Sequence, residues 1–127
     1  MGKANLVSIR IITADIRRLV PFFEDATATT AKWATDDFAE LRFETFTLAI
    51  GSTRTLAFFG EGVAEPGANK SIIIEFRVEN VDDDYERIKG LTSEIVQKPT
   101  TMPWGNRSLL FRDPDGNLIN FFTPVSE

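Results

Sequence analysis

The residues of this chain that could do chemistry are carboxylates, guanidinium groups, hydroxyls and amides, because its 127 residues include no His and no Cys. Their absence removes the commonest general base and metal ligand, and also any thiolate nucleophile. The remaining types suit the binding of a ligand by charge and hydrogen bonds. Asn120 stands out, because it lies between Ile119 and Phe121 in an apolar, strand-like run. It is either a hydrogen-bonded core amide or a polar contact for a ligand.

Two strand-like segments, residues 5–14 and 71–78, carry the charged candidates. Successive side chains of a strand point to opposite faces, so each segment has two sets of residues. One face is expected to line a site, and it carries Ser8, Arg10, Ile73, Glu75 and Arg77. The other face is expected to pack under helices, and it carries Val7, Ile9, Ile11, Ile72, Ile74, Phe76 and Val78.

Arg10 and Glu75 occupy equivalent positions in these segments, 65 residues apart (75 − 10). They could form an ion pair that neutralises two buried charges. They could instead hold a ligand, with Glu75 binding a cationic group or Arg10 a carboxylate. Glu75 as a general base is a third possibility, although no nucleophile or oxyanion hole is evident beside it.

The elements that must position these residues follow the order βαβββ. In the first half, the predicted strands are residues 5–14, Lys32–Ala34, Glu40–Ile50 and Thr55–Gly60, with a turn at Gly51-Ser52. A helix begins after Asp15 as its N-cap, and Pro21 is expected to shorten or bend it. A loop rich in Gly and Pro follows over residues 60–69.

The same order returns in the second half. The predicted strands are residues 71–78, Glu94–Gln97, Arg107–Arg112 and Leu118–Thr123. Asn80 is the predicted N-cap of a helix that ends near Gly90, and the turn Asp113-Pro114-Asp115-Gly116 precedes the last strand. Asp15 and Asn80 are again 65 residues apart (80 − 15). The repeated order predicts an internal duplication.

Length and charge restrict the class of protein. A chain of this length predicts one domain over residues 1–127, with repeats over about 5–62 and about 70–124. The net charge of −5, from 14 basic and 19 acidic residues, argues against a nucleic-acid partner. No apolar run approaches the roughly 20 residues of a membrane span, and the N-terminus lacks the apolar region of a signal peptide. A cytoplasmic protein without a membrane partner is expected.

The doubled βαβββ order and the stretch Gly105–Leu118, GNRSLLFRDPDGNL, resemble the vicinal oxygen chelate superfamily. That group includes glyoxalase I, extradiol dioxygenases, fosfomycin-resistance transferases and bleomycin-resistance proteins. The resemblance implies an α+β fold in which two tandem βαβββ units form a half-barrel pair with a central cleft. It also implies a homodimer, since many members complete their clefts with a partner chain. One fold hosts many functions, so the resemblance alone does not name the activity.

The metalloenzymes of this family bind a divalent metal through side chains that point into the cleft. The resemblance places these ligand positions at Ser8, Ile73 and Asn120, with a fourth within Thr55–Phe59. None of them offers the carboxylate or imidazole donors that a divalent cation prefers. The chain is therefore most similar to metal-free members of the bleomycin-resistance type, and no metal or other cofactor is expected.

Trp104 and Arg107 are further candidates for ligand contact. Trp104 lies in the loop Pro103-Trp104-Gly105, just before a predicted strand. The resemblance places that loop near the mouth of the pocket, where Trp104 would contact a ligand or pack on the partner subunit. Arg107 follows the loop and is either a second anchor for a ligand or an ordinary exposed arginine.

The predicted function is metal-independent binding of a small molecule, such as an antibiotic or an aromatic metabolite. The candidate binding residues are Ser8, Arg10, Glu75, Trp104, Arg107 and Asn120, and no residue is assigned a catalytic role. The alternative is a metal-dependent lyase, isomerase or dioxygenase with a shifted site that uses Glu40, Glu44 and Glu75. An accessory or structural dimer without a small ligand is the third possibility.

Overall fold

The computed structural model describes residues 2–125 and divides the chain into two compact units, one up to Gly67 and one from Ala68. Within the described range, each unit contains one α-helix and one four-stranded mixed sheet. Both units have the order βαβββ, so the predicted α+β fold with two repeated halves is confirmed. No helix in this range is long and apolar enough to cross a membrane.

The first unit has the strand order β1-β4-β3-β2, with β1 and β4 parallel and the other pairs antiparallel. Its elements are β1 (Ser8–Thr13), α1 (Ile16–Thr27), β2 (Lys32–Thr35), β3 (Phe38–Arg42), β4 (Thr47–Ser52) and a 3₁₀ helix (Thr53–Phe58).

The second unit repeats this topology in the order β5-β8-β7-β6, with β5 and β8 parallel. Its elements are β5 (Ile73–Arg77), α2 (Val81–Ile88), β6 (Ile95–Thr101), β7 (Asn106–Arg112) and β8 (Leu118–Pro124). The turn before β8 has the predicted form, with Gly116 at φ 86° and its N–H donating to the Asp113 carbonyl.

Helix α1 begins where the sequence predicts. The Asp15 carboxylate accepts a hydrogen bond from the Arg18 N–H at 3.2 Å, as an N-cap does. The helix continues through Pro21 for 12 residues, so the expectation that Pro21 shortens it is wrong. Pro21 lies on the exposed side, while the other side buries a wide apolar stripe whose packing outweighs one lost hydrogen bond. The buried residues are Ile16, Leu19, Val20, Phe22, Phe23 and Ala26.

Helix α2 is also capped as predicted, because the Asn80 side chain accepts from the Asp83 N–H at 3.1 Å. It buries Val81 and Ile88 against its sheet. Three aspartates occupy its first turn, where carboxylates are favoured by the helix dipole. In the sheet beneath it, Phe111 and Phe76 each meet the Phe121 ring edge to face, at centroid distances of 5.1 and 5.5 Å.

Two strand predictions in the first unit are wrong. The predicted strand Glu40–Ile50 is in fact β3 and β4, joined by a tight turn in which the Phe43 N–H donates to the Phe46 carbonyl. The predicted turn at Gly51-Ser52 instead forms the end of β4, so the chain reverses earlier than the Gly-Ser pair indicated.

The predicted strand Thr55–Gly60 is wrong as well, because a 3₁₀ helix occupies Thr53–Phe58. Ser52 caps it by accepting from the Arg54 N–H at 3.2 Å, and Ser52 donates to the Asp37 carboxylate at 2.8 Å. Arg54 also donates to that carboxylate at 2.9 Å. The hydrogen bonds from Ser52 and Arg54 lower the pKa of Asp37. These side-chain contacts give the backbone an alternative to a strand ladder.

The two faces of each sheet are set by the strand registers. Thr13 is fully buried, and its hydroxyl accepts from the N–H of Asp15, the N-cap of α1. Alternation places Ile9 and Ile11 on the same side of β1 as Thr13. Val7 and Ile72 are 67% and 51% exposed, so the prediction that they pack under helices is wrong. Both precede the first paired residue of their strands, where alternation no longer determines direction.

Candidate functional site

The face of the second sheet that points away from α2 carries the most informative group of side chains. Arg107 and Thr123 both contact α2, the first through Asp82 and the second through the Val81 N–H. Side chains alternate between the two faces of a strand, so Ser108 and Leu110 of β7 and Asn120 and Phe122 of β8 lie on the opposite face. In the strand register, Asn120 is flanked by Glu75 of β5 and Leu110 of β7, and the next pair on this face is Ser108 and Phe122. We call these five residues the Asn120 cluster.

Asn120 is bound to Glu75 by one hydrogen bond. Its Nδ2 donates to Glu75 Oε2 at 3.0 Å, and the residue is only 9% exposed. Its other amide atom, Oδ1, is buried and accepts from no group within residues 2–125. An unpaired buried acceptor costs about 1–3 kcal/mol, and native proteins contain few of them. Asn120 is thus a core amide whose acceptor oxygen is unused within the described residues.

Ser108 belongs to this group, and the sequence analysis missed it. It is 5% exposed. The signal was available in β7, where the buried apolar residues Leu109 and Phe111 set the side facing α2. The alternation would then have placed Ser108 and Leu110 on the other side, beside Asn120. What it could not show is which strand lies next to β7.

In the first unit, Arg10 lies between two aromatic rings. Its guanidinium carbon is 4.8 Å from the centroid of Phe38 and 5.7 Å from that of Phe59. A Cβ on Gly51 would lie 3.5 Å from Arg10 Cδ and 2.9 Å from Thr55 Oγ1, so glycine leaves room for both side chains. Across residues 2–125, Arg10 makes neither an ion pair nor a hydrogen bond to a side chain through its guanidinium. Its charge is held by aromatic faces and remains available to an anion.

The fourth metal-ligand position, expected within Thr55–Phe59, lies elsewhere. The last strand of the first unit is β4, and Ala49 is opposite Arg10 just as Asn120 is opposite Glu75. Because Arg10 and Glu75 are equivalent, Ala49 is the counterpart of Asn120. The predicted range Thr55–Phe59 for this ligand position was wrong because it assumed a strand where the 3₁₀ helix lies.

The residues at the four ligand positions do not fit a divalent cation. They offer the Ser8 hydroxyl, the Asn120 amide oxygen and the alkyl side chains of Ala49 and Ile73, and so no anionic or imidazole donor. No group of three or more His, Cys, Asp or Glu residues that could hold a metal occurs between residues 2 and 125. Of the three glutamates in the shifted-site alternative, Glu40 pairs with Arg42 at 2.7 Å.

Arg107 does not lie with Asn120. Its guanidinium donates two hydrogen bonds to the Asp82 carboxylate of α2, at 2.9 and 3.0 Å. These hydrogen bonds lower the pKa of Asp82 and raise that of Arg107. Strand parity is the reason, because Arg107 is one residue from Ser108 and so points to the helix side. Trp104 lies in the turn between β6 and β7 and is 73% exposed.

Among the predicted site residues, the structure therefore brings Glu75 and Asn120 together in the second unit. Ser8 and Arg10 share one face of β1 in the first unit, as predicted, with Ser8 exposed. The proposed ion pair between Arg10 and Glu75 joins residues of different units and stays a prediction.

This chain is similar to known proteins both in sequence and in fold. A model of the Glyoxalase/Bleomycin resistance protein/Dioxygenase superfamily matches residues 5–121. The uncharacterized protein YraH of Bacillus subtilis (strain 168) is 30% identical over 124 residues, which cover 93% of this chain and 97% of YraH.

Two solved structures show the same architecture. A glyoxalase/bleomycin resistance protein/dioxygenase from Nocardioides has a TM-score of 0.79 at 18% identity, covering 99% of this chain and 87% of its own. A family enzyme from Burkholderia phytofirmans PsJN has a TM-score of 0.81 at 15% identity, covering 96% of this chain and 100% of its own. At these identities the likeness shows the fold alone.

Proposed function

The chain belongs to the Glyoxalase/Bleomycin resistance protein/Dioxygenase superfamily, and from that premise we propose that it binds a small molecule without the help of a metal ion. The observation that supports this proposal is the donor set at the family's ligand positions. Ser8, Ala49, Ile73 and Asn120 offer a hydroxyl, an amide and two alkyl groups. A fold that keeps its sheets and loses these donors keeps a surface for binding but not the charge needed to hold a divalent cation.

Two groups of side chains would supply polar contacts to such a ligand. In the second unit the Asn120 cluster presents a carboxylate, an amide oxygen and a hydroxyl beside the apolar Leu110 and Phe122. In the first unit Arg10 presents a guanidinium between Phe38 and Phe59. A few polar groups among apolar and aromatic walls are typical of small-molecule sites. Exposed Trp104 is a further proposed contact, for the ligand or for a second subunit.

The test compares ligand binding before and after removal of metal. Full-length protein is titrated with three aromatic probes of similar size, benzylamine, benzoate and benzyl alcohol, which carry positive, negative and no charge. Backbone and side-chain amide shifts are followed by NMR. We expect saturable shifts with at least one probe, and the same Kd after treatment with EDTA.

The metal-dependent alternative makes the opposite prediction. An enzyme with a shifted site that used Glu40, Glu44 and Glu75 would bind Mn²⁺, Ni²⁺, Zn²⁺ or Fe²⁺ and gain several degrees of Tm, because a ligand specific for the folded state stabilises it. We expect no such gain. Stoichiometric metal in the purified protein, or probe binding that EDTA abolishes, would contradict the proposal.

A further inference from the structure

We propose that the Asn120 cluster binds a cationic nitrogen that carries at least two N–H groups, as in a primary ammonium or an amidinium. This inference rests on the proposed function and names the chemical class of ligand that the second unit would take. It starts from two observations on neighbouring strands, which are the unpaired Oδ1 of Asn120 and the Glu75 carboxylate to which the same amide is bound.

The orientation of the Asn120 amide follows from its partner. A carboxylate only accepts hydrogen bonds, so the amide must turn its Nδ2 toward Glu75 Oε2, where the 3.0 Å hydrogen bond lies. The reversed amide would place two oxygens against each other and would leave the NH₂ group buried without an acceptor. The unused atom is therefore an acceptor, and only a donor group can complete it.

The backbone register explains why the protein itself supplies no donor. The residues opposite and alongside Asn120 on this face include Leu110, Leu118 and Phe122, whose side chains have no polar hydrogen. Ser108 is the nearest hydroxyl on this face and lies diagonally across from Asn120, beside Phe122. The 9% exposure of Asn120 means that its oxygen is largely removed from bulk water.

The charge of Glu75 selects a cation over a neutral donor. The structure gives Glu75 no ion pair within residues 2–125, and its hydrogen bond comes from a neutral amide. Two arginines share this face by alternation, Arg77 of β5 and Arg112 of β7. Arg112 donates to the Gly116 carbonyl at 3.0 Å, and neither arginine forms an ion pair with Glu75 within residues 2–125. A cationic N–H donor can therefore bind Glu75 through a charge-assisted hydrogen bond while a second N–H reaches Asn120 Oδ1.

The deciding experiment compares two cations that differ in N–H groups. Benzylamine and benzyltrimethylammonium carry the same charge and the same ring, but the second has no N–H. Both are titrated into the full-length protein, and the side-chain amide signals of Asn120 are followed by NMR. We expect benzylamine to bind at least tenfold more tightly, and to shift the Asn120 side-chain signals most.

Two variants of the cluster and one control separate the roles of charge and hydrogen bonding. Glu75→Gln removes the charge and keeps an oxygen for Asn120 Nδ2, while Asn120→Leu removes the acceptor. Each is expected to weaken benzylamine binding at least tenfold. Glu79→Gln removes an exposed carboxylate of the same unit outside the cluster and should leave the Kd unchanged. NMR spectra of all three confirm the fold, and Glu75→Gln carries the test if Asn120→Leu does not fold.

The outcomes distinguish this inference from the proposed function. Equal binding of both cations would overturn the inference in favour of unspecific attraction between charges. An effect of Glu79→Gln on the Kd equal to that of Glu75→Gln would do the same. Unchanged benzylamine binding in Asn120→Leu would overturn it too, and would leave the amide with a structural role alone. If benzoate or benzyl alcohol binds and benzylamine does not, the inference fails and the proposed function stands. If no probe binds, both fail.

Discussion

Single residues decide what this family's ligand positions can hold. Asn120 resembles an aspartate in shape, yet its amide brings no negative charge and adds two donors. One of these donors is used on Glu75, so the pair forms a small polar network within an apolar strand environment. The ligand positions that we propose, Ser8, Ala49, Ile73 and Asn120, offer neither a carboxylate nor an imidazole to a divalent cation.

Asp113 shows a residue whose role is structural. Its carboxylate accepts hydrogen bonds from the Asp115 N–H, the Asn117 N–H and Asn117 Nδ2, at 2.9, 2.9 and 2.7 Å. We expect Asp113→Ala to lower the free energy of unfolding by about 2–4 kcal/mol, since three acceptor contacts are lost in a buried turn. Urea unfolding measures the change. Asp36→Ala, at an exposed aspartate of another turn, should change it by less than about 0.5 kcal/mol, and an equal effect would contradict the assignment.

The same residue predicts a pH dependence. Burial raises the pKa of Asp113 above the ordinary value of 3.8, so the folded chain retains this proton to a higher pH than the unfolded chain. The contribution to stability is therefore complete below pH 3.8 and is lost as the pH rises through the folded pKa. We expect Asp113→Ala to lower the free energy of unfolding more at pH 3.5 than at pH 7. The gap between the two losses is set by how far the folded pKa of Asp113 lies above its unfolded pKa. A destabilisation that grew with pH would show that the turn favours the carboxylate.

At the scale of elements, the helices follow their caps and apolar stripes, while the first unit's strands depend on partners that are distant in sequence. Helix α1 ends in a left-handed residue, Ala28, at φ 54°, whose N–H donates to the Glu24 carbonyl. This conformation closes the helix but is strained for a residue with a Cβ. Glycine is the usual residue at such a position, and its absence here makes the helix end suboptimal.

Ala28→Gly is therefore expected to stabilise the protein. Relief of the left-handed strain outweighs the added flexibility of the unfolded chain, with a net gain of about 0.5–1 kcal/mol. Thermal and urea unfolding measure the gain. Ala34→Gly in β2 is the matched control, because its φ is negative, and it should lose about 0.5–1 kcal/mol. Equal losses in both variants would show that the Ala28 backbone is not strained.

At the scale of the whole molecule, the surface of the described chain exposes large apolar side chains. Several large apolar side chains are exposed in the single chain, among them Phe58 at 92% and Trp104 at 73%. Exposed apolar surface of this kind often marks a protein interface or a ligand site. The notable members are Leu6, Val7, Phe58, Phe59, Val63, Ile72, Ile73 and Trp104.

We therefore expect a homodimer in solution. Sedimentation equilibrium should give the mass of two chains, and Trp104→Ala separates the two roles proposed for that residue. A ligand contact predicts an unchanged mass and weaker probe binding, whereas an interface contact predicts dissociation at low concentration. A monomer at every concentration used for NMR would contradict the dimer.

Local patterns in the sequence determined much of this fold. Asp15 and Asn80 marked the helix starts, the Asp113–Gly116 turn marked the last hairpin, and the repeated order predicted two βαβββ units. The lack of His and Cys and the residues Ser8, Ile73 and Asn120 already indicated an altered ligand set. These features depend on hydrogen bonds between residues close in sequence or on residue type, which short stretches of chain specify.

Only the tertiary structure decided which of these residues meet. The bond between Glu75 and Asn120 spans 45 positions, and the counterpart of Asn120 proved to be Ala49 rather than a residue of Thr55–Phe59. Ser108 joined the cluster, and Arg107, its neighbour in the chain, pointed to the other face. Strand periodicity gives the two faces of a strand, but the pairing of strands and their register arise from packing between distant segments. The Asn120 oxygen is left unpaired because of that register. The chemistry inferred for the site therefore depends on the register as well.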